Sequence, residues 1–147
     1  MIVTVLSAKG GVGKSTTAIH LATYFQTLAP TLLVDGDGIR SATKWSQRSD
    51  GKGLPFKVIG YAELARSASN YTHIIIDTEG NPSDEDFRDA TKGSDALVIP
   101  AVPESVATDG LTHTLAKLQE LESNRYRVLP PWCHLSHALK ERSCDKC

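Results

Sequence analysis

Residues 6–17 read Leu6-Ser7-Ala8-Lys9-Gly10-Gly11-Val12-Gly13-Lys14-Ser15-Thr16-Thr17, a glycine-rich turn between an apolar strand and the start of a helix. The general phosphate-loop pattern is glycine, four residues, then Gly-Lys-Ser/Thr. Gly13-Lys14-Ser15 fit it, and Ala8 stands at the first glycine position. Gly10, Gly11 and Gly13 let main-chain N–H groups approach phosphate oxygens without Cβ atoms in the way, and the amides of Val12, Lys14, Ser15 and Thr16 complete the cradle. A helix beginning near Lys14 adds its unsatisfied donors and the positive end of its dipole. Lys14 is placed to reach the β and γ phosphates and the Ser15 hydroxyl to ligate Mg²⁺.

The flanking sequence gives the loop an α/β setting. Ile2 to Leu6 is a short apolar run suited to a parallel sheet covered on both faces. Ala18, Leu21, Ala22, Phe25 and Leu28 recur at helical spacing and predict a helix over about 14–29, stopped by Pro30. Thr31 to Asp35 predicts a second strand, and Asp35-Gly36-Asp37-Gly38 puts two acids at its C-terminal end, where open α/β sheets bind ligands. In isolation such a tetrapeptide is a turn with solvated acids. Thr72 to Thr78 is bulky and apolar until Asp77, a form in which the carboxylate holds Mg²⁺ through water. Glu79 reads as a solvated loop residue, with a place near the nucleotide as the alternative; His73 reads as an edge residue and Trp45 as packing, although an aromatic beside Arg40, Lys44 and Arg48 also suits a partner surface.

Further elements follow in alternation. A helix is predicted from Ser41 to about Ser49, a strand from Phe56 to Ile59 and a brief helix from Glu63 to Ser69. Ser83-Asp84-Glu85-Asp86 caps another helix with acids in its first turn, Phe87 and Ala90 facing inward and Gly93 at its end. A strand over Asp95 to Val102 and a helix over about 104–123 complete five strands, implying a doubly wound, mainly parallel sheet. Arg125 to Leu129 starts like another strand, but Pro130-Pro131 are expected to cut it short.

Lys9 to Thr16 meet the pattern Lys-Gly-Gly-x-Gly-Lys-Ser/Thr-Thr, so the chain resembles the deviant Walker A ATPases, the ParA/MinD family, over roughly residues 1–129. The resemblance implies that Lys9 reaches across a dimer interface to phosphates on the partner subunit. It also implies that Asp35 lies near the magnesium and its waters and Asp37 beside the attacking water. The catalytic set is then Lys9, Lys14 and Asp37, with Ser15, Asp35 and Asp77 at the metal. The family usually has proline after the second Asp, where this chain has Gly38, so a looser loop is expected there.

Domain 1–129 thus resembles a P-loop ATPase domain with the family's C-terminal portion missing, followed by an irregular tail at 130–147. The implied function is an ATP hydrolase with ATP and Mg²⁺ as cofactors that dimerises around nucleotide. It would bind DNA nonspecifically, answer to a ParB-like stimulating partner, and position plasmids, chromosomes or other cargo. The alternative is a truncated nucleotide-binding remnant without productive hydrolysis or DNA binding.

The chain has 147 residues, 40% hydrophobic and 22% charged, with a formal net charge of −1, so nothing in the global balance advertises nucleic acid or an anionic membrane. Its N-terminus runs straight into a strand without a basic or long apolar segment, and a cytoplasmic location with no membrane partner is expected. All three cysteines follow residue 130. The expected tail is disordered and oxidisable. Cys133, His134, His137, Cys144 and Cys147 include one Cys-x-x-Cys half-site, and zinc would need two further ligands.

Overall fold

The computed structural model describes residues 1–48, 53–102 and 105–130, with backbone alone at 48 and 105–108. The expected tail and its cysteines, the loop at 49–52 and Pro103-Glu104 lie outside the described residues.

Six strands form one sheet: β1 (Ile2–Val5), β2 (Thr31–Asp35), β3 (Lys57–Gly60), β4 (His73–Asp77), β5 (Ala96–Pro100) and β6 (Tyr126–Leu129). Their order is β3-β2-β4-β1-β5-β6 and every pairing is parallel. Among the described residues five α-helices connect them, α1 (Lys14–Gln26), α2 (Ser41–Arg48), α3 (Tyr61–Ser67), α4 (Asp84–Gly93) and α5 (Ser105–Glu120), with a 3-10 turn at Ala68–Asn70 after α3. Successive strand residues point to opposite faces, and both faces are apolar. Val3, Val5, Leu33, Ile75 and Val98 join Ala18, Leu21, Ala22 and Phe25 of α1 in one core. On the other face, Leu97 and Ile99 pack with Phe87 and Leu118, and Leu32, Val34, Ile59 and Ile74 form a further cluster.

The connections leave adjacent strands β1 and β4 in opposite directions. After β1 the chain crosses by α1 to β2, whereas after β4 it crosses by α4 to β5 on the far side of β1. Such a switch point opens a crevice at the C-terminal strand ends, where open α/β sheets take ligands. There Val5 pairs with Asp77, and Asp77 pairs with Asp35.

Four local expectations change. Helix α1 ends at Gln26 and Leu28 is 60% exposed: Thr27 keeps right-handed helical dihedrals, but its N–H and its hydroxyl both donate to the Tyr24 carbonyl, at 3.0 and 2.7 Å, tightening the last turn. Gly93 is the last residue of α4 and Ser94 caps it with ordinary extended dihedrals, so no left-handed residue is needed. The segment ahead of the prolines completes β6: among the described residues it is an edge strand pairing only with β5, and it reaches Leu129 before Pro130 removes a donor. Trp45 is 48% exposed and does not serve as packing, since Ala42 is the α2 residue buried against α1 and the sheet. His73 opens β4 at the opposite sheet edge from the crevice, its ring 4.9 Å from that of Phe25.

Candidate functional site

Gly11 and Gly13 take φ values of 77° and 87°, in the left-handed region that side chains disfavour, and Gly13 is the residue from which α1 starts. This geometry swings the loop out over the end of α1. Lys14, the first residue of that helix, is only 7% exposed and donates from Nζ to the Lys9 carbonyl at 2.9 Å. An ammonium has three donors, so this contact closes the loop without using all of them. Burial pulls the Lys14 pKa below 10.5, opposed by the carboxylates of Asp77 and Asp37.

Asp77 is fully buried at the tip of β4, and neither carboxylate oxygen has a hydrogen-bond partner among the described residues. Its pKa is pushed up to about 6, chiefly by burial, with Ser15 and Lys14 acting in the opposite sense. A buried, unpartnered carboxylate is costly unless a cation or donor satisfies it. No cluster of three or more His, Cys, Asp or Glu forms a metal cage among the described residues. A magnesium ion held with phosphates and waters needs only one or two protein carboxylates, and Asp77 beside Ser15 fits that need.

Asp35, 3% exposed, is occupied differently. Its Oδ2 accepts from the Thr43 N–H at 2.8 Å and the Thr43 hydroxyl at 2.6 Å, and its Oδ1 accepts from the Asp37 N–H at 3.3 Å. The carboxylate therefore ties the tip of β2 to the first turn of α2. Asp37 lies half-buried, with Oδ1 accepting from the Ile39 N–H at 3.1 Å. Between them Gly36 donates to the Asp77 carbonyl at 2.8 Å.

Lys14 and Asp37 face a cavity of about 710 Å³, lined by Gly10, Gly11, Gly13, Lys14, Ser15 and Thr16 on one side and by Asp37 to Ile39, Ser41, Glu79 and Gly80 on the other; Asp35 and Asp77 are not among its lining residues. Glu79, expected to be a solvated loop residue, is exposed yet forms part of that wall, because the chain leaving Asp77 turns back over the glycine loop. A Cβ on Gly80 would stand 3.0 Å from the Gly10 Cα. Val12 is buried beneath the loop. Lys9 is not among the lining residues; its stem lies along Gly110 of α5.

Several supporting residues escaped sequence reasoning. Thr114, on α5, accepts from the Ala8 N–H at 2.9 Å, and Thr78 donates to the Val5 carbonyl at 2.8 Å. Tyr61 lies against Gly36, and burial together with Asp86, Asp77 and Asp89 pushes its phenol up to about 12. Single threonines and a tyrosine carry no motif; only the fold brings them to the loop.

A glycine loop opening a helix, its buried lysine and an acidic strand tip in one crevice define a nucleotide-binding domain of the P-loop class. The family model described as the CobQ/CobB/MinD/ParA nucleotide binding domain matches residues 3–131, and the chain belongs to that family, whose ParA and MinD branches are nucleotide-binding ATPases. It is 30% identical over 133 residues to Maintenance of carboxysome distribution protein A of Gloeobacter kilaueensis, the match covering 87% of this chain and 61% of that protein. It is 31% identical over 115 residues to Protein ParA of Rhizobium radiobacter, covering 71% of this chain and 50% of that one. The chain thus spans less than two thirds of either relative's length. In fold it resembles the ATP complex of Cyanothece McdA, with a TM-score of 0.70 at 18% identity over 88% of this chain and 69% of that one.

Proposed function

We propose that this chain binds MgATP in the 710 Å³ cavity and hydrolyses it. The observation that carries this reading is that the glycine loop, Lys14 and Ser15 line one cavity while the buried, unpartnered Asp77 carboxylate lies behind that wall, close enough to Lys14 and Ser15 to act on both. Main-chain amides of the loop and of the first turn of α1, from Lys14 to Thr16, hold the phosphate chain, and Lys14 donates to the β and γ phosphates. Ser15 and Asp77 hold Mg²⁺, which when bound neutralises charge on the phosphates. Asp35 serves the metal's water shell while pinning α2. Asp37 orients the attacking water and accepts its proton, the role its place on the cavity wall permits.

The course of the Lys9 stem along α5, outside its own chain's cavity, supports a nucleotide-dependent dimer in which Lys9 serves the partner's γ phosphate. A cation delivered in this way is worth about 10³ to 10⁵ in rate in the arginine-finger case. The name of the carboxysome-distribution relative supports cargo positioning. The cargo proposed is plasmid or chromosomal DNA or another body, with nonspecific DNA and a ParB-like stimulating protein as partners. No helix among the described residues is long and apolar enough to cross a membrane.

Thermal melting with and without MgATP, paired with phosphate release, tests the proposal. Ligand at 100 times its dissociation constant should add about 2.7 kcal/mol. An unmoved melt at millimolar nucleotide would remove the binding reading, and a shift without turnover would remove hydrolysis. Lys9→Ala is expected to keep the shift, lose turnover and stay monomeric in light scattering; unchanged turnover refutes the cross-subunit role.

A further inference from the structure

Helix α5 is joined to the phosphate loop at a point the nucleotide chemistry does not require. Thr114 is fully buried on that helix. Its hydroxyl donates to the Gly110 carbonyl at 2.7 Å, the ordinary way for a helical threonine to satisfy its proton. The same oxygen accepts the Ala8 N–H at 2.9 Å. Ala8 occupies the place where the general loop pattern has glycine, and its amide is turned to α5 instead of the cavity. The next residue is held on both sides: the Lys9 N–H donates to the Ser7 hydroxyl at 3.3 Å, and the Lys9 carbonyl accepts from Lys14 Nζ at 2.9 Å.

With its main chain fixed in this way, Lys9 runs along Gly110. A Cβ on Gly110 would lie 2.7 Å from Lys9 Cβ, 3.4 Å from Cδ and 3.6 Å from Cγ, so any side chain there displaces the stem. We infer that Thr114 and Gly110 are positioning residues for Lys9. Thr114 sets the backbone from which the lysine departs, and the bare face of Gly110 is the track that keeps its stem on α5 and out of the cavity of its own chain. This inference rests on the ATPase reading proposed above, and adds to it the part of the fold that aims the first lysine.

The test uses the full chain and measures Mg²⁺-dependent ATP hydrolysis, nucleotide affinity and amide hydrogen exchange at Ala8. Thr114→Val keeps the shape and removes the hydroxyl. It is expected to lower kcat about tenfold or more, since small misplacements of a catalytic group cost that much, while nucleotide Kd stays within about threefold. Thr114→Ser restores the rate, and Gly110→Ala repeats the loss without touching the hydroxyl. The Ala8 amide should exchange at least about tenfold faster in Thr114→Val and recover in Thr114→Ser.

A double-mutant cycle isolates the route. In a Lys9→Ala background, followed in single turnover at high enzyme concentration so that the residual rate is read, Thr114→Val should cost nothing further, whereas a merely structural role would multiply the two losses. Parental turnover by Thr114→Val, full additivity in the cycle, or an Ala8 amide as exposed in the parent as in the variant would each overturn the inference. A parental chain without turnover would instead overturn the ATPase reading, and this role with it.

Discussion

The Lys14 ammonium donates a 2.9 Å hydrogen bond to the main-chain carbonyl of Lys9, so the two lysines of the loop are coupled through its backbone although their side chains leave in different directions. One lines the cavity and the other runs along α5.

Because Lys14 is buried with its pKa pulled below 10.5 by desolvation, its charge stabilises the folded chain little. Lys14→Met, of similar volume and without the charge, is expected to match the parent in unfolding free energy or exceed it by up to about 1 kcal/mol. It should show no shift with MgATP. A variant that unfolds by several kcal/mol would mean that the Lys9 tie is a structural necessity.

Asp77 titrates at about 6 instead of 3.8, mainly because it is buried. A folded-state pKa above the unfolded one means the folded chain holds the proton more tightly. In magnesium-free buffer stability should therefore fall as pH rises from about 4 to about 6 and stay level above that. Two units amount to about 3 kcal/mol. Asp77→Asn is expected to lose this slope, to gain up to about 3 kcal/mol at neutral pH in EDTA, and to lose the magnesium-dependent part of the nucleotide shift. Denaturant titrations across that pH range give the comparison, and identical slopes would assign the proton elsewhere.

Gly36 is squeezed between Tyr61 and the end of β4: an added Cβ would collide with Tyr61 Cε2 and stand 2.8 Å from the Asp77 carbonyl. Gly36→Ala should cost about 1–3 kcal/mol by overpacking. Adding Tyr61→Ala should recover part of that loss, since the ring then gives way but the carbonyl does not. Urea unfolding of the single and double variants measures the coupling, and strict additivity would show that the ring is not the obstacle.

Ser83 accepts from the Asp86 N–H at 3.2 Å, and Asp86 in turn accepts from the Ser83 N–H at 2.7 Å and hydroxyl at 2.6 Å, a reciprocal cap on α4. Ser83→Ala is expected to cost about 0.5–2 kcal/mol. The two Ser83 hydrogen bonds hold the Asp86 pKa below 3.8, so its contribution is present above that value and lost as pH falls through the lower folded-state pKa. The stability difference between parent and variant should narrow in strong acid, and a gap independent of pH would argue against the carboxylate.

Sequence alone determined the features that depend on a few neighbouring residues. The positive φ angles at Gly11 and Gly13, the helix opening at Lys14, the apolar strand ending at Asp77 and the Ser83 cap each follow from side chains within about one turn of one another, and all are legible in order along the chain. Tertiary structure decided what no local pattern encodes. It inserted β4 between β2 and β1, which set Asp77 in register with Asp35 across the ladder. It gave Asp35 to Thr43, brought Thr114 from 106 residues away to Ala8, and made a strand of Tyr126–Leu129 by offering β5 as a partner. Strand pairing and a hydroxyl buried on a distant helix are contacts between segments. Their partners become known only when the hydrophobic faces of the sheet have chosen which helices cover them.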